Sequence, residues 1–394
     1  MNRRDTHDVA VVGAGMVGAA LALALAHGGY DVAVIEPRAP EPWRDEDEVD
    51  LRVVALAPSS VELFGRLNVW TAIASARTCA YRRMHVWDAL APGELRFDAA
   101  DNGEAALGYI VENRLIQHTL WQVLQDDARI TLRCPLRVSA TVVDADRRTL
   151  ALDDGTTLSA RLVVAADGAD SALRGMAGIT TRDRDYAQRA IVAHVTTERP
   201  HESTAWQRFL PAATLAFLPL ADGRSSIVWS VADAEAARLL ALDDATFCTE
   251  LGAAFDFRLG AIAATTARAV FPLRLRLAER YLAPRLALIG DAAHVVHPLA
   301  GQGVNLGLRD AVELASVLIT ARNAKRDFAS ESTLRQFERR RRSDNVLSAH
   351  TFDAIQRVFA SDAMPLAALR GAGLAFADRI APLKRLFADR AAGR

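Results

Sequence analysis

Three glycines near the N-terminus have the spacing of a phosphate-binding turn. Gly13, Gly15 and Gly18 form the pattern G-x-G-x-x-G, and Glu36 stands 18 positions after Gly18. In such a pattern the first glycine permits a tight turn, the second lets the backbone approach a pyrophosphate, and the third lets a helix pack closely against a strand. The helix start offers free N–H groups to phosphate, and Glu36 can accept hydrogen bonds from a ribose. The residues therefore predict a dinucleotide site.

The segments around these glycines must form a strand, a helix and a second strand. Val9–Val12 is a short apolar run, Ala19–His27 is rich in helix formers, and Asp31–Ile35 is again strand-like. The uncharged stretch over 9–26 also imitates a signal peptide or a membrane span. The glycine spacing, and the strand that resumes directly afterwards, argue against both.

A second motif follows an apolar strand in the middle of the chain. Leu162–Ala166 reads as a buried strand, and Asp167 and Gly168 come directly after it.

A third motif lies later in the chain. Arg285–Ile289 reads as a buried strand and leads into Gly290 and Asp291. A loop rich in glycine follows, and a long helix is predicted from about Asn305 to Arg322. Backbone N–H groups of a glycine-rich loop that opens a helix can stabilise negative charge on a ligand.

Two arginines stand in contexts that leave two interpretations open. Arg52 interrupts the apolar run Leu51–Leu56, and is either an exposed edge charge or a guanidinium directed at a phosphate or a cofactor ring. Arg114 lies in a predicted amphipathic helix over Tyr109–Asp126, where the plain interpretation is a solvated arginine paired with Glu112.

The three motifs together resemble the single-component flavin-dependent aromatic hydroxylases, the para-hydroxybenzoate hydroxylase-like class. The stretches GDAAHVVHPLAGQGVNLGLRDA and ENRLIQHTL are most similar to the ubiquinone-biosynthesis hydroxylases within that class. The resemblance covers roughly residues 5–345. It implies an α/β fold with two domains, a Rossmann-like FAD-binding domain and an inserted antiparallel-sheet domain for the substrate, followed by C-terminal helices.

The resemblance also implies roles for individual residues. The glycine turn and Glu36 would hold the ADP half of FAD, the two arginines would reach the FAD region, and the second and third motifs would contact its pyrophosphate and ribityl chain. The loop after the third motif would run past the flavin ring. The cofactor-binding residues implied are Gly13, Gly15, Gly18, Glu36, Arg52, Arg114, Asp167, Gly168, Gly290, Asp291, Pro298, Gly301, Gly303 and Asn305.

The implied chemistry is oxygen insertion. NAD(P)H would reduce FAD, O2 would form a hydroperoxide at C4a of the flavin, and one oxygen atom would pass to a phenol ring while the other leaves as water. No residue can be named as the base that activates the phenol. His294 and His297 are spaced i,i+3, but no third ligand stands nearby, so no metal is expected.

The resemblance divides the chain into three regions. The predicted boundaries are 1–75, 101–180 and 271–345 for a discontinuous FAD-binding domain, 76–100 and 181–270 for the substrate domain, and 346–394 for a C-terminal helical region. The substrate pocket is expected between the flavin and the inserted sheet. Candidate lining residues are Phe209, Phe217 and Trp229, each of which is more simply explained as sheet core.

Composition excludes several classes of protein. The chain has 394 residues, a hydrophobic fraction of 51% and a formal net charge of -1, so nothing favours nucleic acid. Cys79, Cys134 and Cys248 are far apart in the sequence, which fits a reducing compartment and no disulfide framework. The expected location is the cytoplasm.

The C-terminal tail is basic and amphipathic. Residues 351–394 contain seven Arg or Lys and four Asp, a local charge of +3, with apolar residues at roughly helical spacing. Such a helix either lies on an anionic membrane or a partner protein, or caps the FAD domain. Peripheral binding to the inner membrane, contact with other ubiquinone-biosynthesis proteins and homo-oligomers therefore stay open.

The predicted function is hydroxylation of a polyprenylated phenol in ubiquinone biosynthesis. One alternative is the same chemistry on a small soluble aromatic compound. Another is a flavin-binding assembly subunit, against which the complete glycine-rich loop argues. A dehydrogenase using NAD would account for the first motif and not for the other two. A flavin halogenase would need an active-site lysine and a W-x-W-x-I-P stretch, which the sequence lacks.

Overall fold

The computed structural model describes residues 5–90, 93–296 and 303–360, with side chains up to residue 351. The strands are β1 (Asp5–Val12), β2 (Val32–Ile35), β3 (Val53–Leu56), β4 (Cys79–Tyr81), β5 (Arg83–Asp88), β6 (Glu94–Asp98), β7 (Gly108–Glu112), β8 (Ile130–Arg133), β9 (Val138–Val143), β10 (Arg148–Leu152), β11 (Thr157–Ala165), β12 (Thr181–Thr197), β13 (Thr204–Leu210), β14 (Ala213–Pro219), β15 (Ser225–Ala232), β16 (Ile262–Thr265), β17 (Ala269–Ala278), β18 (Leu282–Ala283), β19 (Leu286–Leu288) and β20 (His294–Val295). The helices are α1 (Met16–His27), α2 (Pro58–Arg66), α3 (Trp70–Ser75), α4 (Asn113–Asp126), α5 (Ala172–Met176), α6 (Asp233–Ala241), α7 (Asp244–Ala254), α8 (Gly303–Asn323) and α9 (Glu331–Ala360).

The first sheet has a parallel core and holds the N-terminal glycine turn. Its strand order is β18-β19-β11-β1-β2-β8, and β1 pairs in parallel with both β2 and β11. Strands β9 and β10 extend it as an antiparallel ribbon from β11. The central strands are continuous apolar runs because both faces of a parallel sheet are covered.

Helix α1 lies in the core between this sheet and α8. It is apolar on all sides, and most of its residues are fully buried, which is typical of a helix enclosed by protein. The uncharged N-terminal stretch is therefore a strand and a buried helix. Among the described residues, no helix combines the length and the apolar character that crossing a bilayer requires.

The second sheet is antiparallel with one exception. Its order is β20-β17-β12-β15-β14-β13-β5-β6, with β16 also paired to β12. Strands β13 and β5 run in parallel, because β5 joins the sheet from an earlier part of the chain. The predicted fold class, α/β with an antiparallel second sheet and C-terminal helices, is confirmed. Strand β17 reaches Ala278 and β20 joins it, so this sheet continues past the predicted boundary at residue 270.

A small third sheet corrects one prediction. Residues 109–112, assigned to a helix from the sequence, belong to β7, which pairs with β3 and β4, and the helix begins only at Asn113. Ile110 and Val111 are β-branched and become buried by this pairing. At Gly108 a Cβ atom would lie 2.6 Å from the carbonyl oxygen of Leu56, so the strands meet at a residue without a side chain.

The buried face of the second sheet gives a test of its core. Phe217 is fully buried, and its ring stacks on Phe255 with the centroids 3.8 Å apart. Phe217→Ala should lower the free energy of unfolding by about 3–5 kcal/mol, measured by urea denaturation. Val142→Ala, at a side chain that is 71% exposed, is the control and should change it by less than about 0.5 kcal/mol. Equal losses in the two variants would contradict this description of the core.

Candidate active site

The glycine turn between β1 and α1 is built on two close backbone approaches. Gly13 has a φ of +101°, and a Cβ there would lie 2.3 Å from the carbonyl oxygen of Ala166. At Gly18 a Cβ would lie 2.0 Å from the carbonyl oxygen of Gly13. Gly15 differs, because no atom lies within 4 Å of a Cβ placed there. Gly13 and Gly18 are thus required by packing, and Gly15 leaves open space at the helix start where a phosphate fits.

Glu36 closes the other side of this turn. One carboxylate oxygen accepts a hydrogen bond of 2.6 Å from the N–H of Ala14, and the other accepts one of 3.2 Å from the N–H of Arg38. A cavity of about 970 Å³ begins here, lined by residues 14–15, 36–41, 47–48, 50, 114, 117 and 137. Its position beside the glycine turn suits the nucleotide half of a dinucleotide.

Arg114 lies in the wall of the cavity. The sequence-based pairing of Arg114 with Glu112 is wrong. Its guanidinium is 3.3 Å from the Asp47 carboxylate and donates to the carbonyl oxygen of Glu48. Its Nε is buried without a partner among the described atoms. Glu112, the expected partner, instead forms a salt bridge of 3.0 Å with Arg77.

The Arg77–Glu112 pair holds the acidic loop over residues 37–50 against the protein. Glu112 is only 2% exposed and also accepts hydrogen bonds from the indole of Trp43 and the N–H of Asp50. Arg77 donates to the carbonyl oxygen of Asp47. Sequence reasoning missed Arg77, since nothing nearby in the chain marks it as the partner of a residue 35 positions away.

Arg52 stands between the two large sheets. Its side chain is exposed, and its guanidinium carbon lies 5.6 Å from the ring centre of Phe271 on β17. Its charge also acts on the carboxyl group of Asp291. The structure thus brings together the start of β3, the second sheet and the third motif.

The second motif leaves the first sheet beside the glycine turn. Asp167 follows β11, and one of its carboxylate oxygens accepts a hydrogen bond of 3.2 Å from the N–H of Leu173. The other oxygen is buried and has no partner in the part of the chain that the structure describes. Gly168 adopts a φ of +84°. A buried acceptor without a donor is costly unless a ligand supplies one, which fits a cofactor hydroxyl or N–H group.

The third motif emerges from the neighbouring strand at the same edge. Strand β19 pairs in parallel with β11, so Asp291 and Asp167 follow adjacent strands. Solvent reaches the Asp291 side chain on one side, while the protein packed around it raises the pKa of its carboxyl group, and the charges of His294 and Arg52 act in the opposite direction.

A buried arginine that the sequence did not reveal joins these two motifs. Arg174 on α5 donates hydrogen bonds of 2.8 Å to the carbonyl oxygen of Ala169 and 2.9 Å to that of Ala292. Both acceptors lie within two residues of the motif aspartates, so Arg174 fixes the distance between the two turns.

Behind Asp291 lies a buried ionic cluster centred on Asp310 of α8. The Asp310 carboxylate is fully buried and accepts hydrogen bonds from the N–H of Gly290 (3.0 Å), Nε of Arg341 (2.8 Å) and Nδ2 of Asn345 (3.0 Å). His294 Nε2 lies 2.5 Å from it. These partners outweigh desolvation and lower the pKa of Asp310 to about 2. The cluster ties the third motif to α8 and α9.

The last group of predicted residues lies in or beside the loop after the third motif. Pro298 and Gly301 lie outside the described residues. Gly303 begins α8, and no atom lies within 4 Å of a Cβ placed there.

Asn305 is fully buried. Its side chain bonds to the carbonyl oxygen of Ala55, the N–H of Ala57 and the hydroxyl of Ser60. The Asn305 side chain therefore locks α8 to β3 and α2. Because the side chain is used in these contacts, only the backbone of Asn305 is free to contact a cofactor, and that contact stays a prediction.

Strand alternation gives the second sheet two different faces. On one face, Phe217 and Trp229 pack against the aromatic rings of Phe255 and Phe247, in the core that α7 covers. Both are therefore core residues, the simpler of the two interpretations for them. Phe209 lies on the opposite face, which is turned toward β3 and β7 of the FAD-domain side.

No group of three His, Cys, Asp or Glu residues that could hold a metal ion occurs among the described residues. The glycine turn, the acceptor on Asp167 and the large cavity instead fit a dinucleotide. The family model described as "FAD binding domain" matches residues 6–347. Together the fold and the site define a flavin-dependent monooxygenase whose cofactor is FAD.

Relatives of known function narrow this class. The chain is 40% identical to the 3-demethoxyubiquinol 3-hydroxylase of Escherichia coli, with 96% of each chain covered. It is 34% identical to the human mitochondrial ubiquinone biosynthesis monooxygenase COQ6, with 96% of this chain and 91% of the relative covered. The chain therefore belongs to the ubiquinone-biosynthesis hydroxylases of the FAD-dependent monooxygenase family.

A solved structure supports the fold. PqsL of Pseudomonas aeruginosa, in complex with 2-aminobenzoylacetate, superposes with a TM-score of 0.78 at 22% identity and covers 94% of this chain and 99% of its own.

Two glycine substitutions separate packing from cofactor binding. Gly15→Ala adds a methyl group where only the cofactor would meet it, so we expect unchanged stability of the apoprotein and an FAD dissociation constant raised about tenfold, or about 1.4 kcal/mol. Gly18→Ala forces the methyl group against the Gly13 carbonyl and should lower the apoprotein melting temperature. Fluorescence titration with FAD and thermal unfolding check this pair. Tight FAD binding by Gly15→Ala would contradict the placement of the pyrophosphate.

Asp310→Asn tests the buried cluster. The variant leaves Arg341 and His294 without their shared carboxylate, so the free energy of unfolding at pH 7 should fall by about 3–5 kcal/mol. The pKa of Asp310 is lowered in the folded protein. The ionised Asp310 carboxylate therefore stabilises the fold fully above about pH 4, and this contribution is lost as the pH falls toward 2. The difference in the free energy of unfolding between the parent and Asp310→Asn, measured by urea denaturation, should therefore become smaller from pH 4 to pH 2. A deficit that is constant from pH 7 to pH 2 would assign the effect to packing.

Proposed function

We propose that the protein inserts one oxygen atom from O2 into the ring of a polyprenylated phenol in ubiquinone biosynthesis, with NAD(P)H as the reductant. The observation that carries the proposal is the match, at 40% identity over nearly the whole chain, to an enzyme named 3-demethoxyubiquinol 3-hydroxylase. Further support comes from the apolar face of the second sheet that packs against β3 and β7, which suits an aromatic ring.

Different residues of this chain would bind different parts of the cofactor. The start of α1 and Gly15 would bind the pyrophosphate, Glu36 the ribose, and Asp167 and Asp291 the polar groups between nucleotide and ring. When bound, FAD supplies the activation of O2 that no side chain can provide. Arg174 and the Asp310 cluster keep the two aspartates in place.

The substrate side is supplied by the second sheet. Ala205, Leu218 and Val228 form an apolar cluster with Ala55 and Ile110, on the sheet face that carries Phe209. An apolar wall of this kind excludes water from the ring and tolerates an alkyl substituent. Arg52 stands at the border of this face and the cofactor site.

Turnover by the purified protein tests the proposal. Protein loaded with FAD should oxidise NADH or NADPH faster in the presence of a short-chain prenylated phenol and yield a product that contains one atom of labelled oxygen from ¹⁸O2. Mass spectrometry measures the label, and the ring position follows from the product. Labelled product from unprenylated phenols alone would replace the substrate with a small soluble aromatic compound. Oxidation of NADH or NADPH without labelled product from any phenol would contradict the proposed function.

We also propose that the basic tail brings the protein to a membrane surface where a prenylated substrate is found. Residues 361–394 lie beyond the described part of the chain, so the support is the charge and apolar spacing of the sequence. Removal of residues 361–394 leaves α9 complete. The truncated protein should move from vesicles of anionic lipid to the soluble fraction in a sedimentation assay. Unchanged sedimentation would contradict the membrane role of the tail.

A further inference from the structure

Two polar side chains on adjacent strands of the second sheet are buried without a hydrogen-bond partner. His194 on β12 is 1% exposed, and neither ring nitrogen has a partner among the described atoms. Ser226 on β15 is fully buried, and its hydroxyl is equally unpaired. The two residues are directly opposite each other in the strand register. Buried polar groups in folded proteins nearly always have a partner, and two such groups side by side on one sheet face can both be satisfied by the polar atoms of a single ligand.

The pair lies on the face of the sheet that is turned toward the cofactor side. Ile191, Ala193 and Val195 alternate with His194 along β12 and pack in the core under α6 and α7, so His194 projects the other way. In the same row of the sheet, Leu218 packs against β3 and β7.

Charges of the cofactor side also reach His194. Asp50, in the wall of the nucleotide cavity, acts on the imidazole electrostatically, as do Asp222 and Arg224 of the neighbouring hairpin. His194 is therefore placed where the substrate face borders the cofactor site.

In the described part of the chain, no protein group forms a hydrogen bond with the imidazole of His194. Its backbone is fixed on both sides by Thr266, which accepts a hydrogen bond of 3.0 Å from its N–H and donates one of 2.9 Å to its carbonyl. Apart from Ser226, the neighbours on its own sheet face include Val192, Leu218 and Val228, which are apolar. An apolar side chain would fill this place better if packing were the only requirement.

The chemistry of the pair matches oxygen substituents on a ring. Burial lowers the pKa of His194 to about 4, so the imidazole is neutral at pH 7 and presents one donor and one acceptor. The hydroxyl of Ser226 can donate one hydrogen bond and accept others. A phenolic hydroxyl with a neighbouring ring oxygen would satisfy both side chains. Both side chains can therefore orient a ring through hydrogen bonds to its oxygen atoms.

We propose that His194 and Ser226 form the polar subsite that binds the ring oxygen atoms of the aromatic substrate. This inference rests on the proposed function, because it takes the substrate to be a phenol. The apolar wall then accepts the rest of the ring, and the two hydrogen bonds select which ring carbon is presented for hydroxylation.

The test compares the binding of a phenol with that of its methyl ether. Full-length protein loaded with FAD is titrated with a short-chain prenylated phenol and with the matching methyl ether, and the change in flavin absorbance gives both dissociation constants without turnover. We expect the parent to prefer the phenol by about tenfold. His194→Leu and Ser226→Ala should each remove most of this preference, and His194→Asn should keep part of it, with unchanged FAD content in all three.

Ser225→Ala is the matched control. Ser225 is as buried and as unpaired as Ser226, but it lies opposite Val195 and so projects from the other face of the sheet. Its removal should leave the preference for the phenol unchanged. An equal loss in Ser225→Ala would assign the effect to a loosened sheet and overturn the proposal.

Three further results would overturn the subsite. These are a parent with no preference, a preference that survives in His194→Leu, and variants that change only FAD affinity. If His194→Leu does not fold, His194→Asn and Ser226→Ala decide the matter. The proposed function fails separately, by the absence of labelled product, because the binding ratio is also measurable with unprenylated phenols and their ethers.

Discussion

The contact on which this structure depends is the approach of Gly13 to the carbonyl of Ala166, at the carboxyl edge of the parallel sheet. No side chain fits between them, since a Cβ at Gly13 would lie 2.3 Å from that oxygen. The contact places the turn after β1 directly beside the turn after β11, and β19 adds the third motif from the next strand. Ligands bind at this edge of such sheets because strand ends and helix starts converge there. The geometry of the cofactor site follows from one missing side chain and three parallel strands.

The side of the site that would meet the cofactor is open, and the side that packs against α8 and α9 is held rigidly. In front, Gly15 faces free space, Asp167 holds an unpaired oxygen and Asp291 is accessible. Behind, the buried carboxylate of Asp310 is held by charged and polar partners from three separate elements. Removal of one member of such a cluster is expensive, because the others remain buried and charged. The turn that carries Asp291 is therefore held in position by the fold itself.

The sequence predicts those features that are local and fails for those that depend on distant partners. The glycine turn and the strands that precede the two aspartate motifs are each encoded by consecutive residues, and the structure contains these strands and turns. The helix at 109–126 begins late because the pairing of Ile110 with β3 wins over local periodicity. Arg77, Arg174 and Asp310 act on residues far away in the chain, so no spacing rule identifies them. Phe209 and Phe217 lie on different strands, so the sequence alone does not show that they project from opposite faces of the sheet. The strand register and the packing of α7 and β3 show it.

The function proposed for this site is the hydroxylation of a prenylated ring on the way to ubiquinone. The most direct measurement is a mass-spectrometric profile of quinones and their precursors in cells that lack the gene, restored with either the parent or a variant of the glycine turn. In cells that lack the gene we expect loss of ubiquinone and accumulation of a polyprenyl phenol that is short of one ring oxygen. Only the parent protein should restore ubiquinone. A normal profile in the deleted cells, with ubiquinone at its usual level and no such precursor, would contradict it.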